Sequence, residues 1–170
     1  MKKIVLVLTI LMSTTLFTFA QKFAYVDTEA VLNQLPEYQD AQKGIDAIAE
    51  NWQSEIQQKY EEIESLYKEY QAEQVLLTED IRQKREESII AKENDVKKLQ
   101  KQRFGYKGDL FKKKQELIKP IQDKVYEAVE ELAQQKSFDF IIDKSGGASI
   151  LYANPKFDQT ETILKKLGVN

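Results

Sequence analysis

No cysteine and no histidine occur among the 170 residues of the chain. Their absence excludes a histidine general base, a Ser-His-Asp triad, a thiol nucleophile and an ordinary zinc site. Disulfide staples are excluded too, so stability must come from packing or from assembly. Helix breakers are scarce, with 3 prolines and 6 glycines. Between Pro36 and Ser137 the only proline is Pro120, and the only glycines are Gly44, Gly105 and Gly108. A stretch so poor in breakers and so rich in Glu, Lys and Gln predicts long helices. No glycine-rich phosphate loop is present, since Gly146-Gly147 reads as a short turn between strand-like segments. The adjacent carboxylates Glu61-Glu62 and Glu86-Glu87 point about 100° apart on a helix, so neither pair converges on a substrate. An enzyme is not expected, and neither is a cofactor or a metal.

Long apolar runs are also missing, except at the start. Lys2 and Lys3 precede the run Ile4 to Leu11, and Thr18-Phe19-Ala20 ends in a small residue. This order predicts a secretory signal peptide over residues 1–20, cleaved between Ala20 and Gln21. The run is broken by Ser13, Thr14, Thr15 and Thr18, and is short for a membrane span. No cysteine follows the site, so a soluble, exported chain is expected rather than a lipid-anchored one. The remainder has the length of one domain. Lys+Arg number 25 against 28 Asp+Glu, a formal charge of −3, and the two leader lysines leave with the leader. Such mild acidity argues against a nucleic-acid binder.

Three zones follow the leader: 21–36, 37–136 and 137–170. In the first, Phe23-Ala24-Tyr25-Val26 reads as a strand, and Asp27 or Thr28 can cap a short helix that ends before Pro36. In the second, Ile45, Ile48, Trp52, Ile56, Tyr60, Ile63, Tyr67 and Tyr70 form a stripe whose steps average about 3.6 residues, the helix repeat. Leu76 to Asp80 is the expected tip, with Thr78 as N-cap, although Leu76 and Leu77 can also prolong the helix and move the tip later. The outgoing helix is then about 40 residues and on the order of 60 Å long. A weaker stripe returns through Ile81, Ile89, Val96, Leu99, Phe104, Phe111, Ile118, Ile121, Val125, Val129 and Leu132. Gly105, Gly108 and Pro120 interrupt it and are candidate bending points, or simply tolerated substitutions.

Charge separates along this hairpin. Acids dominate residues 50–80, whereas Lys97, Lys98, Lys101, Arg103, Lys107, Lys112, Lys113 and Lys114 form a basic run. The two are expected to pair across the arm, or the basic run attracts an acidic partner or an anionic membrane surface.

In the third zone, Phe138 to Asp143 and Ala148 to Ala153 read as two strands of a hairpin, and Asp158-Gln159-Thr160-Glu161 starts a last helix. A base this small barely encloses a core of its own, and open strand edges invite another chain. The expected fold is therefore α+β and mostly α: a long antiparallel coiled-coil helical hairpin on a small β-body completed by oligomerisation. Phe23, Tyr25, Val26, Phe138, Phe140, Ile142, Ile150 and Tyr152 are the candidate body residues.

The opening FAYVDTEAVLNQLPEYQDAQ and the closing FDFIIDKSGGASILYANPKFDQTETILKKLG make the similarity specific. Tyr25-Val26-Asp27, Pro36-Glu37-Tyr38, Leu151-Tyr152-Ala153 and Asp158-Gln159-Thr160 are its strongest pieces. The chain resembles the Skp (OmpH-like) family of periplasmic chaperones. That resemblance implies a periplasmic homotrimer whose helical tentacles enclose unfolded outer-membrane β-barrel proteins without ATP. Family members are often strongly basic, whereas this chain is mildly acidic. Under this reading Tyr67, Tyr70, Phe104, Tyr106 and Phe111 are candidate client contacts, each with burial in the hairpin seam as its alternative. An exported coiled-coil adaptor of the cell envelope is the competing reading.

Overall fold

The structure, a computed structural model, describes residues 21–147 and 150–169. The expected leader and Ala20 lie outside these residues, as do Ala148 and Ser149. The described chain divides into two compact units, one of them Leu32–Lys124 and the other ending at Val31 and resuming at Val125.

The Leu32–Lys124 unit is built on a helical hairpin. Helix α2, Pro36–Glu73, has 38 residues, so it is about 57 Å long. Pro36 occupies its first turn behind an extended Leu35, a place where the missing N–H costs nothing. The chain reverses over 74–78, the earlier of the two expected places, and returns as α3, Glu79–Phe104. Thr78 is the N-cap residue, yet its side chain makes no capping bond; Glu79 and Asp80 in the first turn complement the helix dipole instead.

The seam between α2 and α3 is a thin apolar ribbon of Ile56, Ile63, Tyr70, Ile89 and Val96, flanked by Tyr60, Leu66, Leu77 and Leu99. Its buried members recur every seven residues on each helix, which is coiled-coil spacing. The return does not continue as one helix. It stops at Phe104 and resumes as α4, Asp109–Lys136, which runs through Pro120 without interruption. Ser137 then takes a left-handed conformation, φ 53°, and Phe138 N donates to Ala133 O at 2.9 Å, a Schellman-type stop made without glycine.

In the other unit, strand β1 (Phe23–Val26) leads into helix α1 (Thr28–Gln34). Asp27, rather than Thr28, is the cap: its carboxylate accepts from Ala30 N at 2.9 Å. The Thr28 hydroxyl is engaged elsewhere, donating to Asp143 Oδ2 at 2.7 Å.

The expected strand hairpin of the third zone is not formed. Only Phe140–Asp143 is a strand, β2, and it pairs in parallel with β1, Phe23 opposite Phe140 and Val26 opposite Asp143. Residues 150–154 carry no strand. Phe138 precedes β2 rather than belonging to it, and Ile150 and Tyr152 lie in coil. The physical reason is that β1 offers two edges. One takes β2. The other bonds to the segment before the last helix, through a Tyr25–Asp158 bridge and Gln159 N donating to Tyr25 O at 2.9 Å. A 3-10 turn, Pro155–Phe157, then leads to α5, Thr160–Lys166, which buries Ile163 and Leu164. Gly168, at φ 82°, follows its end.

Candidate interaction surfaces

Each unit presents its own surface. In the strand unit, Ala24, Tyr25 and Val26 are buried, so Tyr25 and Val26 are core residues and not available to a partner. Phe140, 61 % exposed, and Ile142 lie two positions apart on β2 and therefore share a face. Phe23 is half exposed opposite Phe140, and its ring meets Phe157 at 4.8 Å. Leu151 is fully exposed and Tyr152 nearly so. Among the described residues β2 has a strand neighbour on one side only. The unit therefore leaves large apolar side chains uncovered beside an open strand edge, a combination that invites a further strand or chain.

Two aspartates tie this unit together. Asp143 accepts from the Thr28 and Ser145 hydroxyls at 2.7 Å each, and from Ser145 N at 3.0 Å. Burial pushes its pKa up, but the Thr28 and Ser145 hydrogen bonds outweigh that and hold the carboxyl below its ordinary value. Asp158 follows the same pattern: burial raises, while hydrogen bonds from Thr160 and Tyr25 lower it further. The Tyr25 hydroxyl is held above its ordinary value by burial and by the negative Asp158.

In the helical unit, cross-arm ion pairs form at Glu62–Lys92, 2.8 Å, and Glu73–Arg85, 2.6 Å. The basic run does not pair with the acidic helix. Lys97 pairs with Glu93, Arg103 and Lys112 with Asp109, and Lys113 with Glu116, all of them close in sequence. Lys98, Lys101, Lys107 and Lys114 form no ion pair among the described residues. The expectation that this run neutralises the opposite helix is thus corrected: Arg85 and Lys92 do that, because they lie level with the acids nearer the tip.

Of the five aromatic candidates, Tyr70 is only 7 % exposed and its hydroxyl donates to Glu86. Tyr70 belongs to the seam and is withdrawn as a client contact. Tyr67, Phe104 and Phe111 are 50 %, 39 % and 43 % exposed, and Tyr106 is almost entirely bare. Val75, Leu76, Ile81 and Ile90 are exposed as well. A sequence signal existed for Ile90, since it follows Ile89 and two adjacent helix positions cannot both face one seam. The clefts of the unit are small. One of about 250 Å³ lies among Lys59, Ile63, Lys92, Asp95 and Val96, and one of about 360 Å³ among Tyr38, Phe111, Lys114 and Ile118. Among the described residues no helix is long and apolar enough to cross a membrane.

Comparison with known proteins gives this arrangement a family. Residues 22–167 match the family described as "Outer membrane protein (OmpH-like)". An uncharacterized protein of Aquifex aeolicus (strain VF5) is 31 % identical over 150 residues, which is 88 % of each chain. A crystal structure of a candidate outer membrane chaperone (OmpH-like) from Caulobacter crescentus CB15 superposes with a TM-score of 0.73 at 12 % identity, over 89 % of this chain and 86 % of that one. The mostly helical α+β fold is therefore shared well beyond sequence likeness. The chain belongs to the OmpH-like family.

Proposed function

We propose that this chain is an ATP-independent periplasmic holdase that keeps unfolded outer-membrane β-barrel proteins from aggregating. Membership of the OmpH-like family supports a chaperone role. The observation that carries the holdase reading is the set of exposed aromatics Tyr67, Phe104, Tyr106 and Phe111 on a hairpin whose own seam is already filled by other residues. Such side chains offer contact area with little conformational entropy to lose, and the tyrosines add a polar tip. Barrel strands in the unfolded state expose alternating apolar residues, so many weak contacts of this kind retain them. The exposed Phe140, Ile142, Leu151 and Tyr152 support assembly through the strand units, and the trimeric number is what the family resemblance implies. Bending of the arm at Gly105, Gly108 or Pro120 would fit the cavity to clients of different size.

The unpaired Lys98, Lys101, Lys107 and Lys114 favour one second reading, attachment to an anionic membrane surface. It predicts salt-sensitive binding to anionic vesicles that disappears when these lysines are reversed in charge.

The deciding experiment is the solution mass of Gln21–Asn170, alone and after a urea-unfolded outer-membrane barrel protein is diluted into it. A trimer that holds the client soluble in a defined complex is expected. A monomer, or a trimer that lets the client precipitate, overturns the holdase in favour of an envelope adaptor.

A further inference from the structure

The interruption of the return helix is a built feature of the Leu32–Lys124 unit. Gly105 N donates to Lys101 O at 2.8 Å and Gly108 N to Gly105 O at 2.8 Å, while Lys107 between them sits at φ 54°. A Cβ on Gly105 would meet Lys101 O at 2.2 Å, and one on Gly108 would meet Gln102 O at 2.6 Å. The loop is thus coiled tightly on the end of α3, and only glycine fits at both positions.

Across this elbow lies one ion pair. Arg103 Nη1, on the last turn of α3, reaches Asp109 Oδ2, the first residue of α4, at 3.0 Å. The two side chains are 27 % and 24 % exposed, the only pair among the described residues in which both partners are so well covered. The same guanidinium lies 4.4 Å over the ring of Trp52 on α2, and Phe104 meets that indole edge-on at 6.3 Å. One cation therefore joins three helices at a single point. Its planar fork can stack and bridge at once, which an ammonium cannot do. Helix α2 passes the elbow unbroken, so a change in the angle between α3 and α4 requires only that one helix to flex.

We propose that Arg103, gripped between the Trp52 ring and the Asp109 carboxylate, is a latch that fixes the angle between α3 and α4 at the Gly105–Gly108 elbow. With the carboxylate removed, the guanidinium keeps its stacking on Trp52 but loses its hold on α4, and so does Gln102 Nε2, which donates to the same Asp109 oxygen at 3.4 Å. Arg103 and Asp109 are positioning residues, and the latch stands whether or not the arm holds clients.

The absence of native cysteine makes the test direct. Nitroxides at Lys98→Cys and Gln115→Cys in Gln21–Asn170 bracket the elbow on exposed helix positions. Labelled chains diluted into unlabelled ones report within-chain distances by double electron–electron resonance. The expected result is a narrow distance distribution that broadens in Asp109→Asn and in Arg103→Lys but stays narrow in Asp109→Glu, whose carboxylate still reaches the guanidinium. Circular dichroism confirms retained helix; if Asp109→Asn loses it, Arg103→Lys carries the comparison. Equal widths in all four proteins overturn the latch, and so does Asp109→Glu broadening as much as Asp109→Asn, which would mark a packing role for the native side chain.

Discussion

Ile63 and Ile90 differ little in chemistry and completely in circumstance. Ile63 is 7 % exposed in the middle of the seam, whereas Ile90 is 55 % exposed on the outer face of α3. Ile63→Ala removes buried methyl groups and leaves a cavity, so it should cost about 2–5 kcal/mol. Ile90→Ala should stay within about 0.5 kcal/mol, as surface changes do. Urea midpoints of the two variants give the comparison. Asp143 makes a pH prediction. Its pKa, like that of Asp158, is lower in the folded chain than in an unfolded one, where aspartate titrates near ~3.9. The stabilisation these groups supply is therefore fully present above that value and is lost as pH falls through the lowered folded values. Asp143→Asn should weaken the strand unit at neutral pH and flatten the acid limb of its stability curve, measured by thermal melts between pH 7 and pH values of about 2–3.

At the scale of elements, helix α4 ends on a strained residue. Ser137 holds φ 53° to complete the stop, a conformation that costs an L-residue roughly 1 kcal/mol and glycine almost nothing. Ser137→Gly should raise the thermal midpoint without moving the end of the helix. Replacement by Val, which resists positive φ, should lower it. The same scale shows what was legible in the sequence. Helix α2 and the tip could be read because a periodic stripe and the run Thr78-Glu79-Asp80 are local signals. Counting sevens from Ile56 also reaches Ile63 and Tyr70, so the burial of Tyr70 was visible in the spacing, while Tyr67, three positions earlier, falls outside it. The strand pairing was not legible. Two apolar runs around Gly146-Gly147 look like a hairpin, whereas the true partner of Phe140–Asp143 is β1, at the other end of the described chain. Parallel pairing leaves no turn signature at the strand, because its connection is a long crossover rather than a two-residue loop. Among the surface residues, exposure could be inferred only where neighbours compete for one seam. Nothing local showed that Arg103 would stack on Trp52, since the two come from different helices.

For the whole molecule, the decisive question is what covers β2. Phe140→Asp places a charge on the most exposed apolar position of that strand, opposite Phe23, which is itself half exposed. If the chain assembles through β2, as proposed, the variant should keep its helical content and run at a lower mass than the native chain, read by light scattering after size-exclusion chromatography. If chaperoning requires several arms around one client, protection against aggregation falls in step with the mass. A variant that stays assembled would locate the interface away from β2.

The crossover between β1 and β2 also sets an order of events in time. A ribosome or an export channel delivers β1 first and β2 only after on the order of a hundred further residues, so closing that loop in a flexible chain would carry a long-loop entropy cost. The intervening helices depend mainly on neighbours near in sequence and can form while β2 is still to come. A helical hairpin doubles back on itself, so forming it first shortens the loop that the pairing of β1 with β2 has to close. Until β2 arrives β1 has no strand partner, and a hairpin that forms early should act on its own chain as a splint, lowering the entropy cost of joining the two strands.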